Sequence, residues 1–121
     1  MNLLQETKRD IKSFGYVPEE IIFIGSEASG HSCTWKQFTE LANIEYDAGF
    51  GGQEVACDLI IVFSDKTVMR RREYDGSEWW SYNKQFEMPK EKKKIRTLVR
   101  GEYESMLYEM NREGGNYGED E

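Results

Sequence analysis

Asp58-Leu59-Ile60-Ile61-Val62-Phe63-Ser64-Asp65-Lys66-Thr67-Val68-Met69-Arg70-Arg71-Arg72-Glu73-Tyr74-Asp75-Gly76-Ser77-Glu78-Trp79-Trp80-Ser81-Tyr82-Asn83-Lys84-Gln85-Phe86 is the stretch on which the fold turns. Its β-branched and aromatic runs are separated by two turn signals, Ser64-Asp65-Lys66 and Asp75-Gly76. That pattern predicts a three-stranded antiparallel meander over about 58–86. Leu59 to Phe63 is a continuous apolar run, as suits a strand covered on both faces. The next two strands alternate. A two-residue type I′ turn at Asp75-Gly76 would pair Tyr74 with Ser77, Arg72 with Trp79, Arg71 with Trp80, Arg70 with Ser81 and Met69 with Tyr82. One face then carries Arg70, Arg72 and Trp79, and the other Met69, Arg71, Trp80 and Tyr82. The second is the more apolar and is the expected core face, with the stem of Arg71 lying along Trp80. A three-residue bulged loop would shift the register by one and reverse the faces of one strand.

On the N-terminal side, Asn2 is placed to cap a helix over about 3–14, with Leu4, Ile11 and Phe14 on one stripe, Leu3 and Thr7 flanking it and Gly15 as its stop. The four-residue apolar run Ile21 to Ile24, ended by Gly25, predicts a further strand over about 20–24. Ser26 to Ser32, rich in Gly and Ser, reads as a flexible loop. Thr34-Trp35-Lys36-Gln37 has the form of a capping box and opens a helix over about 35–44, with Trp35, Phe38, Leu41 and Ala42 at helical spacing.

On the C-terminal side, Met88-Pro89 ends the sheet. Ile95, Leu98, Val99, Tyr103, Met106, Leu107 and Met110 recur at steps of three and four, which predicts a long helix over about 90–112, interrupted at Gly101. Its bases come first and its acids last, an order that opposes the helix macrodipole. Such a stripe would suit an antiparallel homodimer, or simply cover its own sheet. The expected architecture is α+β: an antiparallel sheet covered by three helices, in a single domain over 1–113, followed by a disordered acidic tail over 114–121.

The chain has 121 residues and a formal net charge of -7. That balance argues against general binding of nucleic acid or anionic membranes and suits a partner with a basic protein surface. No apolar run reaches membrane-spanning length and no signal peptide is recognisable, so a cytoplasmic protein is expected. Cys33 and Cys57 form no Cys-x-x-Cys motif and read as free thiols, and with His31, the only histidine, they lack the spacing that pre-orders zinc. No nucleophile, base or phosphate loop stands out, and the expectation is a non-enzymatic protein without cofactor.

Two stretches invite a binding role. Between Lys36 and Lys66 there is no base, while Glu40, Glu45, Asp47, Glu54, Asp58 and Asp65 are acids; within this half lies the Gly-rich loop Tyr46 to Gly52, with two exposed-looking aromatics. Glu45, Tyr46, Asp47, Phe50, Glu54 and Asp58 are the candidate partner-binding residues. The other stretch is the Arg-Arg-Arg strand crossing the Trp-Trp strand. Arg over Trp stabilises a sheet, and the same pair can stack on a base and hold phosphate, so Arg70, Arg72, Trp79, Trp80 and Tyr82 are the alternative, ligand-binding set.

Trp35-x-x-Phe38-x-x-Leu41-Ala42, Tyr46-Asp47-x-Gly49-x-Gly51, Asp58-Leu59-Ile60-Ile61-Val62 and Glu73-Tyr74-Asp75-Gly76-Ser77-Glu78-Trp79-Trp80 together resemble small uncharacterised proteins of phages and integrated elements of Firmicutes. The resemblance implies context and no functional residue: small acidic phage proteins often inhibit host defence, as anti-CRISPR proteins do, or sequester nucleotide second messengers. The leading expectation is therefore an acidic inhibitor that covers the basic, nucleic-acid-binding surface of a host defence protein such as a CRISPR nuclease. The alternative is a sequestering protein for a nucleotide second messenger, acting through the Arg and Trp set.

Overall fold

The computed structural model describes residues 1–47, 49, 52–84, 88–101 and 103–112. Asn2 Oδ1 accepts from Gln5 N at 3.0 Å and starts helix α1, Leu3–Ser13. Leu3, Thr7 and Ile11, one turn apart, are its most buried residues. Gly15, at φ +91°, ends it in the left-handed region.

A single 3₁₀ turn, Pro18–Glu20, leads into β1, Ile21–Gly25, and β2, His31–Ser32. The segment between these strands is a tight turn where the sequence reads as a flexible loop: Ser26 N donates to His31 O at 2.8 Å and Gly30 N to Ser26 O at 2.9 Å, and Ser26 is fully buried. Helix α2, Trp35–Leu41, carries the capping box read from the sequence, with Thr34 N donating to Gln37 Oε1 at 2.8 Å and Gln37 N to Thr34 Oγ1 at 3.1 Å. It stops short of the expected residue 44. The carbonyls that follow are turned to α1, whose first amides lack intrahelical partners: Leu4 N donates to Ala42 O at 2.9 Å and Leu3 N to Ile44 O at 3.1 Å.

Strands β3, Ile60–Phe63, β4, Thr67–Tyr74, and β5, Ser77–Lys84, are consecutive antiparallel neighbours. Asp75 and Gly76 have φ of 53° and 88°, the signs a type I′ turn needs. The register is the one that turn implies, with Arg72 opposite Trp79, Arg71 opposite Trp80 and Met69 opposite Tyr82. All six strands form one sheet in the order β5-β4-β3-β1-β2-β6, antiparallel except between β2 and β6, Lys93–Lys94.

The helix expected over 90–112 is not formed. This segment runs extended, pairs Lys93 and Lys94 with β2, places Val99 opposite Val55, and becomes helical only at α3, Leu107–Met110. Ile95, Thr97 and Val99 are β-branched at alternate positions, a pattern that suits a paired edge, and the Lys-rich start would have opposed a helix dipole. Neighbouring backbone supplies the partners: Ala56 N donates to Leu98 O at 3.1 Å, Arg100 N to Glu54 O at 3.0 Å and Ile95 N to Ser32 O at 3.2 Å. Asn111 fastens the end, its Oδ1 accepting from Thr97 N at 2.9 Å and its Nδ2 donating to Leu107 O at 2.8 Å. The proposed dimer through a long helix loses its basis with the helix.

One face of the sheet packs Ile24, Ile61, Phe63, Met69 and Trp80 against α1, α2 and the C-terminal segment. The opposite face has a smaller cluster of Phe23, Ile60, Val62 and Val68. Among the described residues no helix is long and apolar enough to cross a membrane. The expected tail over 114–121 lies outside the described residues.

Candidate binding face

Period-two alternation along β4 and β5 sends neighbouring arginines and tryptophans to opposite sides of the sheet. Arg71 and Trp80 turn inward. The Arg71 side chain has no exposed surface and lies 3.4 Å from Glu6 Oε2 and 3.4 Å from Glu78 Oε1. Its Nη2 donates to Tyr46 Oη at 3.0 Å, and Tyr46 Oη donates to Glu6 Oε1 at 2.6 Å. The guanidinium carbon sits 4.9 Å from the Trp80 ring centroid, and Trp80 Nε1 donates to Thr7 Oγ1 at 3.0 Å. Glu78 also accepts from Glu54 N at 2.5 Å and Val55 N at 3.2 Å. Burial holds its carboxyl above the usual range, against the opposing pull of those amides and of Arg71. The network ties α1, β4 and β5 to Tyr46, Glu54 and Val55.

Arg70, Arg72, Trp79 and Ser81 turn outward. Trp79 keeps 41% of its surface in solvent against 3% for Trp80. Arg72 Nε donates to Ser81 Oγ at 2.9 Å, which steadies the guanidinium on the outer face, and Arg72 stands opposite Trp79 in the register. Arg70 and Arg72 line a cleft of about 380 Å³ together with Ser26, Glu27 and Ala28, Ile60 and the acid Asp58. Two cations, an apolar base and a half-exposed indole on one face can hold an anion joined to a planar group.

The alternative set therefore divides. Arg70, Arg72 and Trp79 share the outer face, while Trp80 is core, and Tyr82 lies on the inner side, its ring 4.5 Å from that of Phe14. Neither Trp80 nor Tyr82 belongs to the outer patch, because an odd step along a strand changes face.

The acidic set is largely consumed inside the fold. Tyr46, read as an exposed loop aromatic, is 5% exposed and belongs to the Arg71 network, a partnership between residues far apart in sequence. Asp58 Oδ1 accepts from Leu107 N at 2.7 Å and holds α3. Glu54 Oε1 accepts from Asp47 N at 3.1 Å. Glu45 meets the N-terminal ammonium at 3.2 Å, and it and Asp47 remain exposed. Phe50 lies outside the described residues.

The nucleophile candidates are subdued. Burial pushes the Cys33 thiol up to about 12, and burial followed by the charge of Asp58 raises that of Cys57, so both are thiols near neutrality. Among the described residues no three His, Cys, Asp or Glu side chains are grouped to hold a metal ion. His31 is 1% exposed and shares a 2.9 Å hydrogen bond between Nδ1 and Ser29 Oγ. Burial, then Lys93 and Arg96, lower its pKa below 6.5, with Asp58 opposing. A lowered folded pKa on a base means stability that is present above pH 6.5 and lost as pH falls through the folded value. Chemical denaturation between about pH 5 and 8 is expected to show that loss in the native chain and not in His31→Gln. Parallel pH profiles for the two would refute it.

The 26–28 wall was not foreseen as part of a site. Its signal was Gly25 and Gly30 bracketing Ser26, since both glycines have positive φ, 155° and 82°, and make the turn that brings the wall over β3 and β4.

No family model matches the chain, and neither a curated protein nor a solved structure matches it. The outer face is therefore read from its own chemistry.

Proposed function

We propose that this is a non-enzymatic binding protein that sequesters a nucleotide on the outer face of β4 and β5, the base stacked on Trp79 and the phosphate held by Arg70 and Arg72. The observation that carries the reading is the register that sets Trp79 directly opposite Arg72 on the side away from the core, beside a cleft of about 380 Å³. Stacking of a base on an aromatic ring contributes about 1–3 kcal/mol, and a guanidinium can donate two parallel hydrogen bonds to phosphate. Trp79→Ala and Arg72→Gln are each expected to weaken nucleotide binding tenfold or more in calorimetric titration. Both should leave the chain folded with a modest drop in melting temperature, since each removes a partly exposed cross-strand group of about 0.2–1 kcal/mol. Nucleotide binding of undiminished affinity in Trp79→Ala would sink this reading.

A second reading rests on Glu45 and Asp47, which stay exposed on a chain of net charge -7. On it the protein is an inhibitor that covers the basic surface of a host defence protein, a nuclease of the CRISPR kind being an example. Binding would then weaken steeply with salt, and reversing both charges in Glu45→Lys with Asp47→Lys would abolish it, while Trp79→Ala would not matter.

A further inference from the structure

The bases of this acidic chain are not evenly spread. Between Met88 and Gly101 stand Lys90, Lys92, Lys93, Lys94, Arg96 and Arg100, with Glu91 the one acid among them. Because this segment runs extended along the sheet edge instead of as a helix, it lies against the β1–β2 turn: Lys93 N donates to Gly30 O, and Lys93 pairs with His31. A cleft of about 420 Å³ opens there, lined on one side by Glu27, Ala28 and Ser29 and on the other by Lys90, Glu91 and Lys93. Glu27 and Ala28 also line the Arg70–Arg72 cleft. The two clefts are thus neighbours across one narrow turn, with cations on each outer side.

We infer that the two clefts form one extended site for an oligonucleotide, a ligand of two or more bases joined by phosphodiesters, which crosses the Glu27–Ala28 turn. This rests on the reading of Arg70, Arg72 and Trp79 as a nucleotide site and lengthens it. A single nucleotide engages the Trp79 side alone; a second phosphate reaches Lys90 and Lys93 once the chain passes the turn. The carboxylates that line the clefts, Glu27 and Asp58 in one and Glu27 and Glu91 in the other, decide between polyanions. Glu27 and Glu91 would repel an acidic peptide, whose side chains bring only more acceptors. Exocyclic amines of bases donate to carboxylates, so a nucleotide chain offers complementary groups to both the acids and the bases of one cleft. An aromatic platform followed by spaced cations is the general form of a single-strand site.

Fluorescence anisotropy tests it with a nucleoside monophosphate, a linear tetranucleotide, a cyclic dinucleotide and a poly-glutamate peptide. A linear or cyclic oligonucleotide should bind at least tenfold more tightly than the monophosphate; which of the two does so identifies the source. The double variant Lys90→Gln with Lys93→Gln should remove that gain, reduce the salt dependence and leave monophosphate affinity and melting temperature as they were. Equal affinities for one nucleotide and for several, unchanged in the double variant, would overturn the extension and leave the Trp79 site standing. A poly-glutamate peptide binding as tightly as the oligonucleotides would overturn it in favour of an acidic protein partner. Failure of every nucleotide to bind would remove the Trp79 reading and the extension together.

Discussion

Arg71→Ala is expected to cost roughly 3–5 kcal/mol, a large share of the about 5–15 kcal/mol that holds an ordinary domain folded. The reason lies in what is left behind. Glu6 and Glu78 have side chains 1% and 0% exposed, and each meets Arg71 at 3.4 Å from opposite sides. Without the guanidinium, two carboxylates share a dry space with only the Tyr46 hydroxyl and the Glu54 and Val55 amides to support them. One must take up a proton or draw in water, and Trp80 has by then lost the guanidinium carbon that lies 4.9 Å from its ring centroid. The pair distances are long for ion pairs, and Arg71 Nε is buried without a hydrogen-bond partner, so the network is not a large net source of stability. Its effect is to specify which segments meet. The comparison that isolates this is Arg71→Met in a background of Glu6→Gln with Glu78→Gln, where no buried charge is stranded and the loss should be much smaller. Denaturant titration of the native chain, Arg71→Met, the Glu6→Gln with Glu78→Gln background and their combination gives the coupling directly. If Arg71→Ala costs under about 1 kcal/mol, the carboxylates are solvated and the buried network is not what joins α1 to β5.

What could be read from the sequence depended on the range of the interaction. The faces of β4 and β5 followed from one local feature, Asp75-Gly76, whose turn type set every pair out to Thr67 and Lys84. The caps of α1 and α2 were equally local, since a cap is a bond across three residues. Tyr46 was misplaced because its partners, Glu6 and Arg71, lie 40 and 25 residues away. The 90–112 segment was misread for the same cause: steps of three and four fit a helix, but its backbone partners at Ser32, Glu54 and Ala56 are invisible to periodicity. Net charge works on a different scale. A total of -7 speaks for the whole surface, while a ligand in a cleft responds to the few groups beside it. Arg70, Arg72 and Trp79 were foreseen as a patch; the turn that forms a cleft with the two arginines was not.

Gly30→Ala is the second large effect, and it tests the packing that the extended site requires. Gly30 has φ +82°, and a Cβ built there would stand 1.9 Å from Glu91 O and 2.9 Å from Glu91 C. The obstacle is backbone, so no rotamer change relieves it. Either the turn takes another conformation, which gives up the Gly30 N bond to Ser26 O at 2.9 Å, or the 88–94 segment moves off by more than an ångström and loses the Lys93 bond to Gly30 O. A left-handed alanine alone costs about 1–2 kcal/mol, and forced displacement of packed backbone typically adds 1–3, so a loss of roughly 3–4 kcal/mol is expected. Gly15→Ala supplies the control. Its φ of +91° is similar, but nothing lies within 4 Å of its Cβ, so it should cost only the conformational part, about 1 kcal/mol. The difference between the two variants in denaturant titration measures how firmly the basic segment is held against the turn. Equal losses would mean that Glu91 does not lie over Gly30, and that Lys90 and Lys93 are not brought beside the Arg70–Arg72 cleft by the fold.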